Sequence, residues 1–230
     1  QGYNIIFGTT FGYIDAMAEM AEEYPDVIFL HCSGYLNNDT NFANYFGKMY
    51  QPRYLSGLAA GAMTDSNKIG YVAAFPIPEV IRGINAFAAG VNEVNPEATV
   101  EVVWTFTWFG PEAETQAANA LLEKGADVLA QHQDSTATGL AAEAAGAKWI
   151  SYNTAYGQDS APEAFVTAPV WDWGPYYVNI VEQIIDGTFT TESYWGGMET
   201  GLVSLYDLSS DVPSDTATLI AEKTEAIIDG

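Results

Sequence analysis

The chain has 230 residues, 48% of them hydrophobic, which is enough to form one large domain or two small lobes around a substantial core. Thirty acidic residues against seven basic ones give a formal net charge of −23, which argues against nucleic acid, anionic membrane surfaces and polyanionic ligands as partners. The lone Cys32 forms neither an intrachain disulfide nor a zinc motif, and no apolar run reaches the roughly 18 residues of a membrane span.

Short apolar runs alternate with helix-like stretches along the whole chain. Strands are predicted at residues 3–7, 27–31, 69–74, 100–105, 128–131, 149–152 and 202–205. Helices are predicted at residues 15–24, 52–63, 78–92, 111–124, 136–145, 175–185 and 214–228, with Ser214 or Asp215 capping the last. This alternation, with strands that are almost continuously apolar, predicts an α/β fold with parallel sheets covered on both faces.

Aromatic and small polar residues follow several of the predicted strands. Ligands of open α/β sheets bind outside the carboxyl ends of the strands, so these residues are candidates for a site. The segments concerned are GTTFG at 8–12, FP at 75–76, FTWF at 106–109, HQDS at 132–135 and NT at 153–154. Their chemistry predicts a pocket that both stacks on a ligand and hydrogen-bonds to it.

The segment APVWDWGPYY, at residues 168–177, places four aromatic rings around the single acid Asp172. Rings beside one carboxylate suit a site that holds something flat and polar. The alternative is a strand-to-helix junction whose rings simply pack, with Asp172 as the N-cap of the next helix.

Sequence signals for catalysis are lacking. The chain has no G-x-x-x-x-G-K-[ST] phosphate loop, no complete G-x-G-x-x-G fingerprint and no G-x-S-x-G elbow. His31 and His132 lie on different predicted strands without metal-ligand spacing. No catalytic residue, metal site or cofactor is therefore predicted, and an enzyme has no nucleophile–base pair to rest on.

A family resemblance runs through essentially the whole chain. The motifs that carry it are, in order, IGYVAAFPIPEVIRGINAFAAGVNEVNP, TFTWFGP, GADVLAQHQDS, WISYNTAY, TAPVWDWGPYY and YWGGMETG. They resemble the basic membrane protein family of ABC-importer substrate-binding proteins, and are similar to its purine nucleoside receptor lipoproteins. The resemblance implies a type I periplasmic-binding-protein fold, in which two parallel-sheet lobes joined by a three-stranded hinge close on a ligand.

The resemblance also implies a division of the chain. Residues 1–66 would form part of the N-lobe, and 67–167 the C-lobe. Residues 168–187 would be a hinge crossing and a helix returning to the N-lobe, and 188–230 the hinge recrossing and the end of the C-lobe. Compared with the family, the chain looks trimmed at both ends. We expect a monomeric protein of the periplasm or cell surface, lipid-anchored through a missing N-terminus, whose partners are the membrane subunits of an importer.

Site roles follow residue by residue from the matched motifs. Phe11 matches the ring on which the family stacks its base, and Trp108 would form the opposite wall. Asp134 matches a polar turn that faces the ligand, where a carboxylate would hold a ribose diol. Asn153 stands where relatives often carry Asp, and would hydrogen-bond sugar or base without charge. The alternatives are that Phe11 packs under the first helix and that Trp108 belongs to a lobe core.

Trp171, Asp172 and Trp173 would form one wall at the hinge crossing, unless Asp172 serves as a helix cap. Relatives often carry a lysine in the motif matching GGME at 196–199, and this chain has none. The missing cation argues against a phosphorylated ligand.

The predicted function is capture of a purine nucleoside or nucleobase for an ABC importer, without turnover. The same fold binding a sugar or another small polar solute is the main alternative, since rings also cover sugar faces. A nucleoside-processing enzyme is disfavoured by the missing catalytic groups. A LacI-like regulator is disfavoured because a basic helix-turn-helix is lacking.

Overall fold

The computed structural model describes residues 2–230, which form two compact units. Unit 1 comprises the chain up to Lys48 together with Asp172–Leu202, and unit 2 comprises Met49–Trp171 together with Val203–Gly230. The chain therefore passes from one unit to the other at three points, after residues 48, 171 and 202.

Strands and helices alternate along the chain. The strands are β1 Ile5–Gly8, β2 Ile28–Cys32, β3 Phe42–Gly47, β4 Lys68–Ala73, β5 Thr99–Trp104, β6 Val128–His132, β7 Lys148–Ile150, β8 Phe165–Thr167, β9 Pro169–Trp171, β10 Tyr194–Gly196 and β11 Val203–Leu205. The α-helices are α1 Ile14–Glu23, α2 Tyr50–Met63, α3 Pro78–Val94, α4 Pro111–Glu123, α5 Ala137–Ala144, α6 Gly157–Ser160, α7 Gly174–Ile185 and α8 Ser214–Asp229. Within residues 2–230, none of these helices is both long and apolar enough to cross a bilayer.

Unit 1 is built on a four-stranded parallel sheet in the order β1-β2-β3-β10. Its last strand comes from far along the chain, because Tyr194–Gly196 pairs with the end of β3. Beneath the sheet, Met17 of α1 packs with Phe29 and Phe42 in a small apolar cluster. The buried amide of Asn41 donates hydrogen bonds to three backbone carbonyls between residues 21 and 27, which ties the end of α1 to the sheet.

Unit 2 is built on a five-stranded parallel sheet in the order β5-β4-β6-β7-β8, with β9 and β11 pairing antiparallel beside it. Its apolar core includes Leu121 of α4, Ala142 of α5 and Trp149 of β7, all at most 1% exposed. The buried Trp149 donates its indole N–H to the side-chain oxygen of Gln131, 3.0 Å away. The two parallel sheets confirm the predicted α/β fold class.

Helices α2 and α3 approach each other more closely than side chains would allow. A Cβ atom on Gly57 would overlap the carbonyl oxygen of Phe87, and one on Gly90 would overlap that of Tyr54. Glycine at both positions lets the two backbones touch. Because α3 belongs to unit 2, this contact places α2 there as well. The expected boundary at residue 66 had assigned α2 to the first lobe.

Every predicted strand and helix is present, with ends shifted by a few residues. The sequence did not predict β3, α6, β8, β9 and β10, most of which are very short or carry Gly or Pro. In the stretch 188–230, β10 pairs with β3 in unit 1 before the chain returns to unit 2. The expected cap of the last helix was wrong, because Pro213 occupies the N-cap position and Ser214 is already helical.

Candidate functional site

Four of the predicted site residues form a continuous hydrogen-bonded chain in unit 2, at the carboxyl edge of its sheet. The backbone N–H of Asp134 donates to the carbonyl oxygen of Trp108, 3.0 Å away. Asn153 Nδ2 donates to Asp134 Oδ1 at 2.7 Å, and Trp171 Nε1 donates to Asn153 Oδ1 at 3.2 Å. Strand ends that are distant in sequence are thus joined through polar contacts.

Asn153 holds the centre of this chain in an unusual backbone conformation. Its φ angle is +70°, in the left-handed region that Asn tolerates better than most residues. Its backbone N–H donates to the carbonyl oxygen of Pro169 at 3.0 Å, and it forms an isolated parallel bridge with Val170. With its amide group bonded to Asp134 and Trp171, Asn153 fixes the Asp134 carboxylate in one orientation.

Glu79 and His132 form a second polar group at the same sheet edge. Glu79 lies in the first turn of α3, directly after the segment that follows β4, where the helix dipole favours a negative charge. Its Oε1 lies 3.2 Å from Nε2 of His132, the last residue of β6, whose side chain is 2% exposed. The His132 ring centroid lies 4.6 Å from that of Tyr152 and 6.3 Å from that of Trp108.

Arg53 adds a buried positive charge behind this pair. It lies on α2, is fully buried, and donates from Nη1 to the carbonyl oxygen of Gln131 at 2.6 Å. Its guanidinium carbon lies 3.9 Å from the centroid of the Tyr152 ring, a cation–π contact. A buried cation requires compensation, and the Tyr152 ring, the Gln131 carbonyl and the nearby charge of Glu79 provide part of it.

The two carboxylates of this edge have opposite pKa shifts. Burial works to raise the pKa of Glu79, but the interactions with His132 and the charges of Arg53 and Arg82 outweigh it, so the pKa lies below its usual value. Partial desolvation raises the pKa of Asp134 more than the Asn153 hydrogen bond lowers it, although part of the side chain remains solvent-exposed. Burial lowers the pKa of His132, so its ring is neutral near pH 7.

Unit 1 presents rings instead of charges. Trp173 stacks on Tyr177 with centroids 6.1 Å apart and planes 19° apart, and it meets Tyr45 edge-on at 5.4 Å. Phe7 of β1 meets Tyr177 at 4.8 Å, and Tyr176 stacks on Tyr45 at 4.7 Å. We call Phe7, Tyr45, Trp173, Tyr176 and Tyr177 the aromatic cluster.

The predicted Phe11 and Asp172 also lie in unit 1. Phe11 begins a short 3-10 turn after β1 and is partly buried. The Asp172 carboxylate accepts a hydrogen bond of 3.1 Å at Oδ1 from the backbone N–H of Gly174, the first residue of α7. The backbone N–H of Asp172 donates to the carbonyl oxygen of Leu202 at 2.9 Å. The alternative of Asp172 as the N-cap of α7 was wrong, because Trp173 occupies the N-cap position and Asp172 lies one residue before it. The side chain also lines a pocket of about 220 Å³.

Glu79, Arg53 and Tyr152 were missed as site residues by the sequence reasoning, and His132 was considered only as a lone histidine. Glu79 carried a usable signal, since it begins a helix just after a strand end that had been recognised. Arg53 also carried a usable sequence signal, because it is a single cation among the small apolar residues of a helix. Their association with His132 could not be inferred, because it depends on the packing of α2 and α3. Among the described residues, no group of three or more His, Cys, Asp or Glu could hold a metal ion.

The class of protein follows from these observations. Two parallel α/β units, joined by three passages of the chain and bearing rings and polar groups at strand ends, are the architecture of periplasmic-binding-protein-like solute-binding proteins. The sequence profile of the Bmp family, described as ABC transporter substrate-binding protein PnrA-like, matches residues 1–230, and the chain belongs to this family. It is a family of substrate-binding proteins, not of enzymes.

Relatives of this chain are named for different ligands. A putative ABC transporter glucose-binding protein of Haloferax volcanii is 46% identical over 98% of this chain and 57% of its own length. A purine-binding protein of Brucella abortus is 40% identical over 99% of this chain and 64% of its own length. The chain therefore spans less than two thirds of either relative. The solved structure of a solute-binding protein from Conexibacter woesei, 25% identical, has a TM-score of 0.77 over 100% of this chain and 78% of that one.

Proposed function

We propose that this chain is the ligand-binding part of an ABC-importer solute-binding protein that captures a purine nucleoside or nucleobase. One observation carries the proposal. Two carboxylates lie at the edge of one sheet, Glu79 against the neutral His132 and Asp134 two residues further along the chain, and the rings of Trp108 and Tyr152 lie close to His132. Carboxylates accept hydrogen bonds from N–H and O–H groups, and the rings favour a flat partner.

The charges restrict the ligand class further. Both acids would repel a phosphate or a carboxylate, and Arg53 is fully buried behind them, with Nη1 bonded to the Gln131 carbonyl and the guanidinium against the Tyr152 ring. The ligand is therefore neutral or cationic and rich in hydrogen-bond donors. Purine bases and their nucleosides have this chemistry. In unit 1, the aromatic cluster provides ring surface on which a base can stack, worth roughly 1–3 kcal/mol per ring.

Glucose is the second candidate, and the relative with 46% identity named as glucose-binding favours it. A sugar also offers hydroxyl donors to carboxylates and a flat face to aromatic rings. The relative named as purine-binding favours the first candidate at 40% identity. Ultraviolet absorbance distinguishes the two ligands experimentally, because the flat purine ring absorbs and glucose does not.

Partners and location are part of the same proposal. Family membership supports an extracytoplasmic protein that delivers its ligand to the membrane subunits of an importer. We propose a periplasmic or cell-surface location, with a lipid anchor on a segment outside this sequence. Residues 168–187 and 188–230 are proposed to include the hinge through which the protein responds to ligand.

The test is to identify what the protein carries and what it rebinds. Material extracted from the purified protein is analysed by ultraviolet absorbance and mass spectrometry. Ligand-free protein is then titrated calorimetrically with adenine, adenosine, guanosine and glucose, and thermal unfolding is followed in parallel. A purine is expected to bind and to raise the melting temperature. Binding of glucose alone would establish the second candidate, and no response to any of these ligands would refute both.

A further inference from the structure

Two buried polar atoms of unit 2 border the same point beside helix α3. Arg53 Nε and His132 Nδ1 have no hydrogen-bond partner among residues 2–230. An ideal Cβ atom on Gly83 would lie 3.8 Å from Arg53 Nε and 3.7 Å from His132 Nδ1. The glycine thus leaves a methyl-sized space that both atoms border.

Both atoms belong to side chains that are almost completely shielded from solvent, with Arg53 0% and His132 2% exposed. Buried polar groups in folded proteins nearly always find a partner, because an unmade hydrogen bond in the interior is costly. The usual partner for groups that protein atoms do not reach is a buried water molecule with two or more polar contacts.

The protonation of His132 decides which small molecule fits. Its Nε2 faces a carboxylate oxygen of Glu79 at 3.2 Å, and this oxygen only accepts hydrogen bonds. Nε2 therefore carries the hydrogen of the neutral ring, and Nδ1 is a bare acceptor. Arg53 Nε is a donor. The occupant must accept from one atom and donate to the other, which water does, whereas a halide only accepts and a metal cation is repelled by the guanidinium.

We propose that one structural water molecule binds beside Gly83, accepting a hydrogen bond from Arg53 Nε and donating one to His132 Nδ1. The water completes a path from the Gln131 carbonyl through Arg53 and His132 to Glu79. It fixes the tautomer and orientation of the imidazole, so Arg53, His132 and Gly83 act as positioning residues for the Glu79 carboxylate. Only the positioning of the Glu79 carboxylate for a ligand rests on the proposed function; the water site itself does not.

The substitution Gly83→Ala tests the water site through the sign of its effect on stability. The new methyl group would make ordinary van der Waals contacts and fits the space. In the interior of a helix, Gly to Ala normally stabilises a protein. If the methyl group displaces the water, the melting temperature is expected to fall by roughly 2–4 °C instead. An increase would overturn the proposal.

Two further variants separate loss of the water from other causes. Gly12→Ala is the control, since a Cβ on Gly12 meets nothing within 4 Å, and no decrease in melting temperature is expected. In a His132→Phe background the water loses its acceptor, so Gly83→Ala is expected to become neutral or stabilising. A decrease of equal size in both backgrounds would contradict the proposed bridge.

Direct observation does not depend on how the variants fold. Long-range ¹⁵N–¹H spectra of the unmodified protein are expected to show the His132 tautomer with hydrogen on Nε2 and a hydrogen-bonded Nδ1. A crystal structure is expected to show a water oxygen within hydrogen-bond distance of both atoms. An anomalous bromide peak at this position after soaking, or the opposite tautomer, would refute the assignment.

Discussion

Units 1 and 2 share a parallel-sheet design but differ in the side chains gathered beside their strands. Unit 1 has the interlocking rings of the aromatic cluster, in which Tyr45 Oη lies 3.2 Å from Tyr177 Oη. Unit 2 has two acids, a histidine and a buried arginine, with Glu79 against His132 and Arg53 bonded to the Gln131 carbonyl. Under the proposed function, this difference predicts that the rings of unit 1 contribute contact area with little selectivity and that the polar edge of unit 2 selects by hydrogen bonding.

The largest effect is expected from removing the central acid of the polar edge. Glu79→Ala takes away a hydrogen-bond acceptor and leaves Arg53 and His132 without their carboxylate. Truncating a buried, charged hydrogen-bond partner at a binding site costs about 2–5 kcal/mol of binding free energy, so ligand affinity is expected to fall roughly 30-fold or more by calorimetry.

A matched control exists on the next helix. Glu112 follows Pro111 at the start of α4, as Glu79 follows Pro78 at the start of α3, but its side chain is exposed. Glu112→Ala is expected to leave ligand affinity unchanged. Equal losses in the two variants would mean that Glu79 has no special role in binding.

A smaller loss is expected from the aromatic cluster. Trp173→Ala removes one stacking surface, worth roughly 1–3 kcal/mol, so affinity is expected to fall about 10- to 100-fold. Trp173→Phe keeps a ring and should retain most of the affinity. The control is Trp195→Ala in the same unit, where the ring is 42% exposed and lies outside the cluster. If Trp173→Ala bound ligand normally, unit 1 would have no part in recognition.

Asn153→Asp probes how the Asp134 carboxylate is held. The variant sets a second carboxylate where the amide now donates to Asp134 over 2.7 Å, so the pair retains a proton to higher pH. Affinity is expected to be reduced about tenfold near pH 8 and to recover on acidification, whereas the unmodified protein loses affinity when Asp134 is protonated. Asn153→Gly is the control, because glycine keeps the left-handed backbone and adds no carboxylate. Its affinity is expected to be reduced as well, but not to recover when the pH falls. A parallel pH dependence in all three proteins would exclude the pairing.

The smallest effect concerns stability, and its sign differs between the two acids. The folded-state pKa of Glu79 lies below 4.5, so its ionised form stabilises the protein at neutral pH, and this contribution is lost as the pH falls through that region. The folded-state pKa of Asp134 lies above 3.8, so its ionisation is a cost that disappears on acidification.

Calorimetric melting can therefore compare two isosteric variants. At pH 7, Glu79→Gln is expected to lower the melting temperature by roughly 3–6 °C, and Asp134→Asn to raise it by about 1–2 °C. Both differences should shrink near pH 4. Shifts of the same sign at neutral pH would contradict the opposite pKa shifts.

The sequence predicted the main strands and helices because their apolar runs are long and their ends carry Gly and Pro. It did not predict β8, β9 and β10, since three-residue strands form only through partners elsewhere in the chain. The strand-end rule grouped Trp108, Asp134 and Asn153, which the structure does bring together, because parallel strands bring their ends to one edge. It missed Arg53, whose distance from the other residues in sequence is bridged by helix packing. For all seven predicted site residues, contact with the ligand stays a prediction.

The backbone-to-backbone contact at Gly57 and Gly90 has a consequence for the thermodynamics of binding. Arg53 and Glu79 stand on the two helices that this contact locks together, so their relative placement is set when the protein folds. Under the proposed function, a ligand would meet a preorganised array and would not have to order it, which saves the conformational entropy that a mobile site would lose on binding. Two residues without side chains would then contribute to affinity by fixing the helices that carry the site.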